Sequence, residues 1–184
     1  MKPVVVLMTF MAWAAHAGAV PLCLSRRALV NNAAIIRAQA IVTRVFADAG
    51  VRVDWLSDRE CSKSAARAIY IMMEARVPPR FGEATLGYAE PYNGATAVHI
   101  FYDRIRDNYR SEFPLIMGYT MAHEIAHALE GLVRHSERGI MKGHWTPDDY
   151  DVMHRRRLKF DNEDVELIQL GLRHAAQASL AARK

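Results

Sequence analysis

The chain is expected to fold as an α+β domain. A long amphipathic helix pattern opens the body of the sequence, four short strand patterns follow it, and three helix patterns fill the second half. In residues 29–49, Leu29, Ile36, Val42, Val45 and Phe46 recur at helical spacing, and Gly50 stands where a glycine commonly ends a helix. Val51, Val53 and Trp55 then alternate with Arg52 and Asp54, so residues 51–56 read as a strand with one buried face. Residues 67–74 hold the unbroken apolar run Ala68-Ile69-Tyr70-Ile71-Met72-Met73, which suits a central strand. Pro78, Pro79 and Gly82 mark a loop, residues 86–89 a short strand, and residues 97–102 a longer one. Pro114 fits the first turn of a helix that runs to about Glu130 and stops at Gly131. Thr146-Pro147-Asp148-Asp149 is a capping-box arrangement that opens another helix. Asp161 or Asn162 caps the last one, where Val165, Ile168, Leu172 and Ala175 form an apolar stripe. Internal repeats are absent and no linker is long enough to separate one domain from another, so residues 18–184 are expected to form a single domain.

Of the 184 residues, 51% are hydrophobic and 24% charged, with a mean hydropathy of −0.08. That is enough apolar side chain for a core, and it excludes collagen-like, low-complexity and disordered classes. The net charge of +4 is mild, and the one dense basic cluster, Arg155, Arg156, Arg157 and Lys159, reads as a solvated helix end. No nucleic-acid partner is therefore expected. Lys2, the apolar run that begins at Pro3, and Ala15-His16-Ala17-Gly18-Ala19 make residues 1–17 read as a secretory signal peptide, with cleavage after Ala17 or Ala19. An uncleaved anchor or a buried helix is the alternative. No other apolar stretch reaches spanning length, so the mature chain is expected to be secreted or periplasmic, without a membrane span. Cys23 and Cys61, both beyond the cleavage site, are the obvious disulfide pair in an oxidising compartment. Such a bond would join the mature N-terminus to the loop after residues 51–56; two buried free thiols are the alternative.

The residues that carry chemistry lie on the helix after Pro114, in His123-Glu124-Ile125-Ala126-His127. Histidines at i and i+4 project from one side of a helix, so their imidazoles can converge on one metal ion. Glu124 sits beside the first of them, placed to take a proton from a water that the metal polarises. Zinc suits such a pair because it accepts tetrahedral imidazole ligation and keeps a position open for water. The helix is apolar around the motif, at Met121, Ala122, Ile125, Ala126, Ala128 and Leu129, so both histidines are expected to be partly buried, where an unpaired imidazole is costly. Gly131 breaks the helix and His135 follows, which offers a third ligand; Glu130, Glu137 and His144 are the other candidates for that place.

Taken together, His123, Glu124, His127, Gly131, His135 and the segment Gly139-Ile140-Met141 resemble the signature of the metzincin group of zinc metallopeptidases. There HExxHxxGxxH precedes a methionine turn beneath the metal; here the pattern is HExxHxxxGxxxH, one residue longer before the glycine and one longer before the third histidine. The turn after the helix must accordingly be wider. The segments Phe101-Tyr102-Asp103-Arg104, His123 to His127, and His135 to Met141 are also similar to uncharacterised bacterial secreted proteins with an FYDR strand, HEIxH and HSxxGIM. The resemblance covers roughly residues 97–145 and implies a zincin-like fold, with a mixed twisted sheet, a long N-terminal helix, an active-site helix and a C-terminal helical subdomain. It implies one catalytic zinc on His123, His127 and His135, Glu124 as the catalytic base, and Met141 as the methionine of the turn. The implied activity is hydrolysis of peptide bonds in a peptide or protein substrate. In that family extended substrate pairs with an edge strand above the cleft, for which residues 94–101 are the counterpart. Some members carry a tyrosine two residues after the turn methionine; that position is Gly143 here, and His144, Trp145 or Tyr119 could fill the space.

A zinc-binding interaction module without catalysis is the alternative function, and a helical interaction protein with an accidental motif is weaker still. The remaining singular residues have plain readings. Trp55 and Trp145 are expected in core or cleft-wall packing, His154 and His174 on solvated helix faces, and His99 as a hydrogen-bonded structural histidine.

Overall fold

Alternation and helical periodicity resolve into five strands and six helices in the computed structural model, which describes residues 19–25, 31–63, 68–92 and 94–181. In chain order they are β1 (Val20–Ser25), α1 (Asn32–Asp48), β2 (Val53–Leu56), α2 (Asp58–Lys63), β3 (Ile69–Glu74), β4 (Gly87–Tyr92), β5 (Ala95–Phe101), α3 (Tyr102–Asn108), α4 (Phe113–Glu130), α5 (Pro147–Arg155) and α6 (Asn162–Ala181). The expected signal peptide, residues 1–17, and the helix residue Leu29 lie outside the described residues. None of the described helices is long and apolar enough to cross a membrane.

The strands form one mixed sheet in the order β2-β1-β3-β5-β4, which is compatible with the expected α+β class. β1 pairs in parallel with β2 and β3, β3 in parallel with β5, and β4 runs antiparallel to β5. Parallel neighbours need a long crossover, and α1 supplies it between β1 and β2. The Asn31 side chain starts α1, accepting from the Ala33 N–H at 2.9 Å and the Ala34 N–H at 3.3 Å. α5 starts as expected, with Thr146 and Asp149 completing a capping box.

One face of the sheet makes the core. Leu22, Ile71, Val98 and Ile100 pack there with Ile35, Val42 and Phe46 of α1 and Met117, Met121 and Ile125 of α4, all buried. Each such side chain removed from water contributes about 1.5–3 kcal/mol, which fixes α4 against the sheet. The other face carries a smaller cluster of Cys23, Cys61 and Ala68 beneath Leu56 and Tyr70. Cys23 and Cys61 are disulfide-bonded, with their Cα atoms 5.8 Å apart.

Four expectations are corrected. β1 was not expected; it continues directly from the signal-like segment and gains its partners only from β2 and β3, far along the chain. Cys61 lies in the short helix α2 rather than in a loop, because Ser57 starts the turn: its carbonyl accepts from the Glu60 and Cys61 N–H groups, while the Glu60 carboxylate accepts the Ser57 N–H. Tyr102 opens α3 instead of ending β5. The strand at the sheet edge is β4, not residues 94–101, because β5 is paired on both sides. The Asn93-Gly94 dipeptide, typical of two-residue hairpins, is the signal in the sequence for that β4–β5 connection.

Candidate metal centre

α4 positions two of the expected site histidines. Residues 116–126 of this helix are all buried, since α1, the sheet, α3 and α6 pack around it. Pro114 lies in its first turn, and Gly131 ends it in the left-handed conformation at φ 66°, as its place in the sequence implies. The chain then doubles back, so that the Leu132 carbonyl faces His127 and His135 comes up beside both helical histidines. The ring centroids of His123, His127 and His135 lie 4.7, 5.3 and 5.2 Å apart pairwise. One ring nitrogen from each falls within 4.8 Å of the others. The wider turn thus still delivers His135. Glu130, Glu137 and His144 are outside this group.

The protonation pattern follows from the hydrogen bonds. His123 Nδ1 is 2.8 Å from the Ile140 carbonyl and His127 Nδ1 is 3.1 Å from the Leu132 carbonyl. A carbonyl only accepts, so each Nδ1 carries a proton and, in the neutral ring, each Nε2 presents a lone pair. Those two Nε2 atoms face each other at 3.1 Å. Two acceptors so close could share a metal ion: two nitrogens on a tetrahedral zinc with bonds of about 2.0–2.1 Å lie roughly 3.3 Å apart. Burial disfavours a charged ring here: it pushes the His123 pKa down to about 3 and lowers that of His127 as well. Neutral imidazoles with oriented Nδ1–H groups are the ligand state of histidine, so this donor set fits zinc.

The segment expected as the methionine turn lies against this cluster. Met141 and Ile140 are buried, and the Ile140 carbonyl that orients His123 also accepts from the Trp145 indole at 3.1 Å. Gly143, where some metzincins carry tyrosine, backs on the third ring: a Cβ there would lie 3.3 Å from His135 Nδ1. Of the side chains considered for that tyrosine's space, Tyr119 is buried with its hydroxyl accepting from the Leu158 N–H at 3.0 Å. Trp145 and His144 line the cleft.

Glu124 is buried beside the histidines, and burial raises its pKa to about 8. β4 passes directly over it at Gly87, where a Cβ would be 3.0 Å from Glu124 Cγ and 2.7 Å from the His99 carbonyl. Only a residue without a side chain allows so close a crossing. The cleft above is about 1060 Å³, with Glu124 and the histidines along it, β4 as one wall, and Lys142 to Trp145 contributing another stretch of the lining. Tyr109 and Tyr150 also line it, their hydroxyls 3.2 Å apart; no spacing rule in the sequence joins residues 41 apart. His99 belongs to the opposite face of β5, between Glu74 at 3.1 Å and Glu90 at 3.2 Å and stacked on Tyr88 at 4.4 Å, which suits a structural histidine.

No protein-family model matches the chain, and no curated protein matches it.

Proposed function

We propose that the protein is a zinc-dependent metallopeptidase of metzincin type that acts outside the cytoplasm. The observation that carries the reading is the pair of lone-paired Nε2 atoms 3.1 Å apart, with His135 closing the group and Glu124 buried beside it. His123, His127 and His135 would hold the ion. A zinc ion there would supply Lewis acidity toward the scissile carbonyl and the attacking water. Glu124 takes the water proton on its carboxylate and returns it to the leaving amine nitrogen. Its place supports this role: Glu124 follows His123 on α4 and lines the same cleft as the three histidines.

A peptide substrate is favoured by the outer edge of β4, which no other strand among the described residues covers. That strand is the last in the sheet and walls the cleft, so an extended chain can add to it by main-chain hydrogen bonds while its carbonyl lies over the histidines. The Cys23–Cys61 bridge supports an oxidising compartment, in line with the signal-like residues 1–17.

The test combines metal content with hydrolysis of a peptide library. About one zinc per chain is expected after loosely bound metal is removed. Glu124→Gln is expected to keep the zinc and to lower kcat by about 10²–10⁴-fold. Protein that binds no zinc refutes the reading. Zinc without hydrolysis of any peptide leaves the non-catalytic interaction module in its place.

A further inference from the structure

The third histidine has the weakest support of the three from its own element. His123 and His127 are set by the rigid helix α4, whereas His135 stands on a loop and is exposed. Its two chain neighbours are nevertheless fastened to a single carboxylate. Asp164, in the first turn of α6, is fully buried at 0% exposure. Its Oδ1 accepts from Arg134 Nη2 at 2.7 Å and from the Ser136 hydroxyl, and its Oδ2 accepts from the Asp161 N–H at 3.1 Å. The Ser136 N–H donates in turn to the Met141 carbonyl at 2.8 Å, which ties the same point to the turn that orients His123.

We infer that Asp164 is the positioning residue of the metal centre, holding Arg134 and Ser136 on one oxygen so that His135 between them is presented to the ion. The inference rests on the metal reading above. Two residues anchored on either side of a third leave its backbone little freedom, and second-sphere partners of this kind govern affinity through the ligand they orient. Without Asp164, Arg134 has two other carboxylates in reach, Glu130 at 3.9 Å and Glu163 at 3.8 Å, and pairing with either would draw the loop to a new place. This arrangement also explains how an enlarged turn can serve as a ligand loop: the two extra residues are compensated by an anchor on α6.

The experiment uses the purified mature chain and measures zinc affinity by chelator competition, the absorption spectrum of the cobalt-substituted form, and the melting temperature of the metal-free form. Asp164→Ala is expected to weaken zinc binding about 10–100-fold and to lower the intensity of the cobalt bands. Ser136→Ala, which removes one hydroxyl, is expected to weaken it by about threefold to tenfold. In a His135→Ala background neither change should weaken zinc further by more than about twofold, because the ligand through which they act is gone. A purely structural role predicts a lower melting temperature with zinc affinity unchanged, or the same loss in both backgrounds; either result overturns the inference. If Asp164→Ala does not fold, Ser136→Ala in the two backgrounds decides alone. Wild-type protein that binds neither zinc nor cobalt overturns the proposed function itself, while tight wild-type binding with unaltered variants overturns only the role of Asp164.

Discussion

Removing the Cys23–Cys61 bridge by Cys23→Ala with Cys61→Ala should cost stability without touching the metal centre. The bridge closes a loop between residues 38 apart in sequence. In the chain-entropy account, a loop of that size restrains the unfolded chain by about 4 kcal/mol at 25 °C. For a chain of this length each kcal/mol moves the melting temperature by about 2–4 °C, so the expected drop is about 8–16 °C. Cys23 points to the sheet face opposite Leu22, into the small cluster with Cys61 and Ala68, whereas α4 and its histidines pack on the Leu22 face. Zinc affinity should accordingly stay within about twofold of wild type, since second-sphere effects travel through groups that touch the ligands. The assay is a thermal melt by circular dichroism without reductant, paired with chelator competition. A drop below about 3 °C refutes the loop-entropy reasoning. A tenfold loss of zinc affinity refutes the mechanical separation of the two sheet faces.

Two further changes test the site and its surroundings. Gly87→Ala places a methyl 2.7 Å from the His99 carbonyl and 3.0 Å from Glu124 Cγ, so either β4 or the base must move. Peptide hydrolysis is expected to fall by about tenfold or more with zinc content unchanged, and an unaltered kcat refutes the proposed crossing of β4 over Glu124. Glu130 has a different kind of exposure to test, that of pH. Burial, with Asp164 adding to it and Arg134 opposing, pushes its carboxyl from 4.5 up to about 7. The folded chain therefore keeps a proton that the unfolded chain releases, and its stability falls as pH rises through that window. Glu130→Gln should flatten the decline, so that the variant gains on wild type between pH 5 and pH 8; melting temperatures that stay parallel across that range refute it.

Local chemistry made much of the molecule legible in advance. Pro114 and Gly131 bracket α4 as expected, the Thr146 capping box starts α5, and alternation at Val53 and Trp55 marks β2. The relation between His123, Glu124 and His127 was readable for the same reason: it needs only the pitch of one helix, which the chain carries within five residues. The cysteine pair was legible by count, there being only two.

What the sequence by itself could not determine is whatever depends on partners far apart in the chain. Strand order is one such property. β1 is short and holds a proline, and it becomes a strand only where β2 and β3 pair with it, while β4 becomes the cleft edge only because β5 is also paired with β3. The third histidine is another. Spacing pointed to His135 with Glu130, Glu137 and His144 behind it, and the path of the loop after Gly131 brings His135 to the two helical histidines. That path is held by Asp164, 29 positions beyond the histidine it supports. A helix encodes its own geometry because each residue bonds to one four places away; a sheet edge, a buried carboxylate and a ligand loop acquire theirs only when the core brings distant segments into contact.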